Sequence, residues 1–180
     1  TMAGPEGPGG FMDGAAGWGD TATITPWTLY LCYGDKAILE QQYESAKKYS
    51  LYQREYARHH NPLYESQPEY STYTDGVLDA DYIFDTHFHW GEWLEPDGAE
   101  NGGPSSFNPI DWEKRGNPIV ATAYLYYSSI LVAKMARVLG RTADADEFEA
   151  YAANVKRVYN KYFIKPDGTI LENRQAAYAR

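Results

Sequence analysis

The 180-residue sequence predicts an all-α fold of stacked antiparallel αα-hairpins with one long loop region. Apolar residues recur at helical spacing in two stretches, residues 20–60 and 118–163. Each stretch is broken near its middle by a lone glycine, Gly34 or Gly140, where two helices can fold back on one another. Between the stretches, Pro62, Pro68, Pro96, Pro104 and Pro109, with Gly91, Gly98, Gly102 and Gly103, forbid a long helix. Hairpins of this kind, with functional loops at one end, describe an α/α toroid or an α-solenoid.

Residues 1–19 are rich in Gly and Pro and read as an incoming loop. The first helix is expected from Asp20 to Tyr33, with Asp20 at its start and Pro26 tolerated near the first turns. Asp35 caps the second, which reads to Arg58 with Ile38, Leu39, Tyr43, Ala46, Tyr49 and Tyr52 or Tyr56 inward. The region 61–117 is far longer than a compact domain carries without a functional reason, and the alternation from Tyr82 to His89 suggests a short strand. Asn117 and Pro118 open a helix to Leu139, with Val120, Ala123, Tyr124, Tyr127, Leu131, Met135 and Val138 on its inner face. Thr142 caps the next, to Phe163, with Phe148, Tyr151, Ala152, Val155, Val158, Tyr159 and Tyr162 inward and acids in its first turns. Pro166-Asp167-Gly168 is a turn, and residues 173–180 read as the start of a truncated helix. A weak repeat places Tyr43 after Gly34 much as Phe148 follows Gly140. The ragged ends suggest a piece of a longer protein, whose remainder or a second copy would cover the open helix faces.

Composition excludes several functions. A net charge of −9 argues against nucleic acid and against an anionic membrane surface. No run of about 18 apolar residues offers a membrane span. The first residues have neither the basic nor the apolar region of a signal peptide, which leaves the compartment undetermined. Cys32 is the sole cysteine, so no internal disulfide exists, and its neighbours Leu31 and Tyr33 predict an inert packed thiol. No nucleophile elbow, phosphate loop or dinucleotide fingerprint is present, and no cofactor is implied.

The chemistry-bearing groups are Gly17-Trp18-Gly19-Asp20 and Gly91-Glu92-Trp93. Each sets a flat apolar ring beside a carboxylate, as a sugar requires: the ring stacks on the pyranose and the acid accepts from hydroxyls. The plain alternative for the first is a core tryptophan with an N-cap at Asp20 and for the second a partly exposed loop pair, but a loop rarely spends a Trp without a contact, and the two groups together favour a site. Asp85, His87 and His89 on a strand would face one way and could hold a metal. No βα pattern and no further His or Cys cluster supports that, so structural or sugar-bonding histidines, His89 among them, are preferred and no metal is expected. Glycoside hydrolysis needs only two carboxylates across a cleft. Loop acids that could serve are Asp20, Asp75, Asp79, Asp85, Glu92, Glu95, Asp97 and Asp111.

Linked motifs then point to one family. Gly17-Trp18-Gly19-Asp20-Thr21-Ala22, Pro26-Trp27-Thr28-Leu29-Tyr30, Tyr33-Gly34-Asp35 and Gln42-Tyr43-Glu44-Ser45 resemble the catalytic domain of bacterial α-L-rhamnosidases, glycoside hydrolase family 78. Gly91-Glu92-Trp93-Leu94 is similar to that family's Gly-Asp-Trp-Leu loop, with Glu in place of Asp. Val120-Ala121-Thr122-Ala123-Tyr124, Ala136-Arg137-Val138-Leu139-Gly140 and Gln175-Ala176-Ala177-Tyr178 extend the resemblance in order. It implies part of an (α/α)6 barrel in an inverting hydrolase acting on a rhamnose-containing oligosaccharide or glycoside. Trp18 and Trp93 would ring the sugar and Asp20 and Glu92 would bind it, with His89 added from the reading of the histidines above. The family's general acid lies in an Asp-Glu-Arg-x-Gly-Trp segment upstream of the Trp18 motif and its base downstream, so the catalytic pair is not assigned within this chain. A non-catalytic helical carbohydrate-binding or interaction module, or another (α/α)6 enzyme such as an unsaturated glucuronyl hydrolase, stands as the alternative.

Overall fold

Helices form on both sides of each central glycine. The computed structural model describes residues 14–59, 73–74, 77–86, 89 and 118–170. In it α1 spans Thr21–Tyr33, α2 Lys36–Ala57, α3 Pro118–Val138 and α4 Thr142–Phe163. Asp35 caps α2 by accepting from the Ala37 amide at 2.9 Å. Gly34 and Gly140 end α1 and α3 in the left-handed region, at φ 66° and 74°. At the second, Arg141 N–H donates to Ala136 O and Gly140 N–H to Arg137 O, which satisfies two carbonyls left free at a helix end. The fold is all-α. Its β structure among the described residues is one short ladder, β1 (Tyr73–Thr74) on β2 (Val77–Leu78), and an isolated bridge between Ile164 and Ile170.

The hairpins stack with α3 at the centre, against α1, α2 and α4. Twelve of the 21 residues of α3 are buried, and among the described residues it is the one helix long and apolar enough to cross a membrane. Its burial within the stack is that of a core helix. The repeat seen in the sequence has a physical basis: Tyr43 and Phe148 are both fully buried in one cluster near the glycine turns, with Leu39, Leu131 and Met135. A second cluster, with Phe84, Val120, Leu125 and Val155, lies toward the loop end. Charged pairs bind α2 to α4 along the surface. Asp144 accepts from Tyr43 Oη at 2.7 Å and Lys47 Nζ at 2.8 Å. Arg54 pairs with Glu147 while its guanidinium lies 4.2 Å from the Tyr151 ring centre.

Several expectations are corrected. Tyr49 and Tyr52 are only partly buried, Tyr56 packs against the second cluster from its edge, and the fully buried stripe of α2 continues through Ser50, Gln53 and Ala57. Tyr127 is exposed rather than core, because the inward side of α3 runs through Leu125, Ser128 and Val132. Thr142 is the first residue of α4, not its cap; Arg141 holds that position without a side-chain bond. Cys32 is exposed, since α1 buries only Thr23 and Pro26. No strand covers the described part of 82–89; a 3₁₀ turn at Asp79–Tyr82 leads into an irregular stretch. The expected cap at Asn117 and the helix from Asn173 lie outside the described residues.

Candidate functional site

One end of the stack gathers the start of α1, the end of α2, residues 77–86 and 89, the start of α3 and the end of α4. The Gly17–Asp20 turn sits there. Gly17 adopts φ 85°, which strains any other residue, and Gly19 passes so near α2 that a Cβ would stand 2.5 Å from Tyr49 Oη. These two glycines reverse the sequence's plain reading. Trp18 is 54% exposed and stands out from the turn, while Asp20 is wholly buried.

Asp20 does not cap α1 with its side chain. Its Oδ2 accepts from the Gly17 amide at 2.8 Å, and its Oδ1 accepts from Gln53 Nε2 at 3.0 Å and from the Ser128 hydroxyl. The Thr23 hydroxyl lies 2.8 Å from Ser128 Oγ and 3.0 Å from the Asp20 carbonyl. Gln53 Nε2 also donates to Tyr49 Oη at 3.2 Å. One carboxylate thus joins the turn to α2 and α3. Burial pushes the Asp20 carboxyl up to about 6, and the bonds from Ser128, Gly17, Gln53 and Tyr49 hold it from rising further. Burial also raises the Tyr49 hydroxyl well above its usual value, so it stays neutral. Gln53 Oε1 is buried with no hydrogen-bond partner among the described residues, which costs about 1–3 kcal/mol.

His89 is buried as well. Its Nδ1 accepts from the Ala16 amide at 3.0 Å, so the ring proton sits on Nε2, which donates to Thr86 O at 2.8 Å. The Phe84 ring meets it edge-on at 4.5 Å. The same segment is fixed twice more: Phe84 N–H donates to Thr122 Oγ1 and Thr86 Oγ1 to Tyr56 O, each at 3.0 Å. His89 therefore ties this segment to the Trp18 turn three residues before Glu92 in sequence. Glu92, Trp93 and His87 lie outside the described residues. No group of three His, Cys, Asp or Glu able to hold a metal occurs among the described residues.

Of the other loop acids, Asp79 is buried and ion-paired with Lys161 at 2.8 Å and Arg157 at 3.0 Å, which fastens the 3₁₀ turn to α4. Asp85 is buried beside Phe84. A cavity of about 500 Å³ opens near the turn, lined by Ile24, Tyr124, Tyr127, Lys156 and Tyr159. Tyr124 forms its wall on the turn side: its hydroxyl lies 3.4 Å from where a Gly17 Cβ would be. Sequence reasoning did not find Gln53 or Ser128, and it read Tyr49 only as an inward residue of α2. The available signal was polarity out of place, since Gln53 falls in register with Leu39, Tyr43 and Ala46, and Ser128 interrupts an apolar helix.

Over residues 1–180 the chain matches the family described as bacterial alpha-L-rhamnosidase 6 hairpin glycosidase domain. It is 29% identical over 154 residues to an alpha-L-rhamnosidase of Formosa agariphila, covering 84% of this chain and 13% of the relative. It is 25% identical over 165 residues to one of Alteromonas sp. (strain LOR), covering 92% and 15%. Among solved structures it is similar to the Streptomyces avermitilis alpha-L-rhamnosidase complexed with L-rhamnose, with TM-score 0.58, 25% identity, and coverage of 88% of this chain and 12% of that one. The chain therefore spans about one seventh of the length of the curated relatives it matches.

Proposed function

The chain belongs to the bacterial α-L-rhamnosidase six-hairpin glycosidase domain family, and we propose that it supplies one wall of the rhamnose pocket of an inverting glycoside hydrolase. Trp18 stacks its exposed ring on the apolar face of the sugar. Glu92 and Trp93, which follow His89 closely in sequence, bind the sugar as well. Asp20 and His89 serve the sugar from behind the turn, since both are buried with their polar atoms bonded to protein groups. The observation that carries this reading is the arrangement at the turn: a half-exposed tryptophan two residues from a wholly buried carboxylate. A ring exposed at that cost suits a ligand better than it suits a core. That a relative was crystallised with L-rhamnose supports the choice of sugar.

The general acid and base are expected from other parts of the catalytic domain. The Glu-Arg pair of the family's Asp-Glu-Arg-x-Gly-Trp segment does not occur in residues 1–17. The pocket wall contributes binding and orientation, which hold the anomeric carbon between two carboxylates spaced for a water molecule, about 6.5–9.5 Å apart in inverting enzymes. The test is hydrolysis of an aryl α-L-rhamnoside by the full-length protein, followed by NMR of the newly released sugar. Phenol release with β-L-rhamnose as the first product is expected, and the 180-residue chain alone releases none. Initial release of the α-anomer would overturn the inverting assignment.

A further inference from the structure

From the geometry behind Trp18 we infer that Gln53 and Ser128 are positioning residues for sugar binding: they hold Asp20, and through it the turn that presents the indole. The inference rests on the reading of Trp18 as a sugar-facing wall. Neither side chain touches the ligand surface, for both are fully buried. Both donate to the same oxygen, Asp20 Oδ1, and leave Oδ2 to receive the Gly17 amide next to Trp18. Gln53 comes from α2 and Ser128 from α3, so the turn takes its position from two hairpins at once. Tyr49 adds a third constraint: its hydroxyl donates to Gly14 O at 3.4 Å and receives Gln53 Nε2.

Gln53 is a poor choice for stability alone. It occupies a position in the apolar stripe of α2 and buries an oxygen that has no hydrogen-bond partner among the described residues. A leucine would fill that position without an orphaned polar atom. The bond that the amide gives in return goes to Asp20. Loss of that bond leaves the fold standing and lets the turn shift, which weakens ground-state and transition-state binding alike. The kinetic signature is a raised KM with kcat preserved.

The experiment measures KM and kcat for an aryl α-L-rhamnoside in the full-length protein carrying Gln53→Leu, Ser128→Ala or Trp18→Ala, with thermal unfolding as the check on folding. Gln53→Leu and Ser128→Ala are each expected to raise KM about ten-fold with kcat within about two-fold, and Trp18→Ala to raise KM at least as far. Gln53→Glu supplies a readout that a purely structural role would not move. Its carboxyl opposes Asp20 when ionised and donates to it when protonated, so KM relative to wild type falls as pH is lowered from 7.5 to 5. Among the described residues Tyr49 is the other titratable group facing Asp20, and it stays neutral throughout. If Trp18→Ala raises KM while Gln53→Leu and Ser128→Ala leave it unchanged, the positioning role is overturned and the sugar wall stands. If Trp18→Ala leaves KM unchanged, the sugar wall itself fails. A loss of kcat with KM constant in folded Gln53→Leu would also overturn the inference.

Discussion

Asp20 concentrates the physical tension of this end of the molecule. The carboxylate is wholly buried, yet it accepts from an amide N–H, a glutamine and a serine. Burial raises its carboxyl from 3.8 to about 6, so between those values the folded chain holds a proton that the unfolded chain releases. The stability contributed by this group therefore increases as pH falls from about 6 toward 4, by about 3 kcal/mol at most. Asp144, Glu149 and Asp167, whose carboxyls are held below their usual values, act in the opposite sense. Their effect cancels when wild type is compared with Asp20→Asn. Denaturation at pH 7 and pH 4 is expected to show the wild type gaining on the variant toward acid, and a constant difference would contradict the burial account. Gly19→Ala tests the same turn sterically. Its Cβ would meet Tyr49 Oη at 2.5 Å, so a cost of about 1–3 kcal/mol is expected by the same assay.

The helices divide their work between ring burial and surface polar ties. Phe148 has no exposed surface in the cluster near the glycine turns, so Phe148→Ala is expected to cost about 3–5 kcal/mol. Tyr43→Phe keeps the neighbouring ring and removes only the hydroxyl given to Asp144, with an expected cost of about 0.5–1.5 kcal/mol. Equal costs in urea denaturation would mean that the polar tie, not the core, joins α2 to α4. These elements were legible in the sequence because lone glycines and apolar spacing are local signals. The Asp35 cap, the break at Gly140 and the burial of Phe148, Ala152, Val155 and Val158 all follow from them. The face of α3 was less legible: a helix apolar nearly all round has no single inner side, so Tyr127 could be assigned to the core when it is exposed at the rim of a cavity, whereas Tyr124 does pack against the second cluster. The Gly17–Asp20 turn was legible as a motif but not in its orientation. The buried Asp20 is bonded by Gln53 and Ser128, 33 and 108 residues away in sequence, and no local pattern reports such contacts.

At the scale of the molecule, two stacked hairpins carry a loop end rich in aromatic and polar groups and a bare end of tight glycine turns. The chain matches its family along its full length while spanning about one seventh of the curated relatives it resembles. Binding and catalysis are accordingly expected of the larger protein, with this segment supplying the wall built on Trp18. Binding separates that role from turnover, because it needs the pocket but not the catalytic acids. The most direct measurement is therefore calorimetric titration of L-rhamnose into the full-length protein, as wild type and as Trp18→Ala. Loss of the stacking ring predicts binding at least ten-fold weaker in a variant that unfolds at an unchanged temperature. Equal affinity in the two proteins would contradict the account.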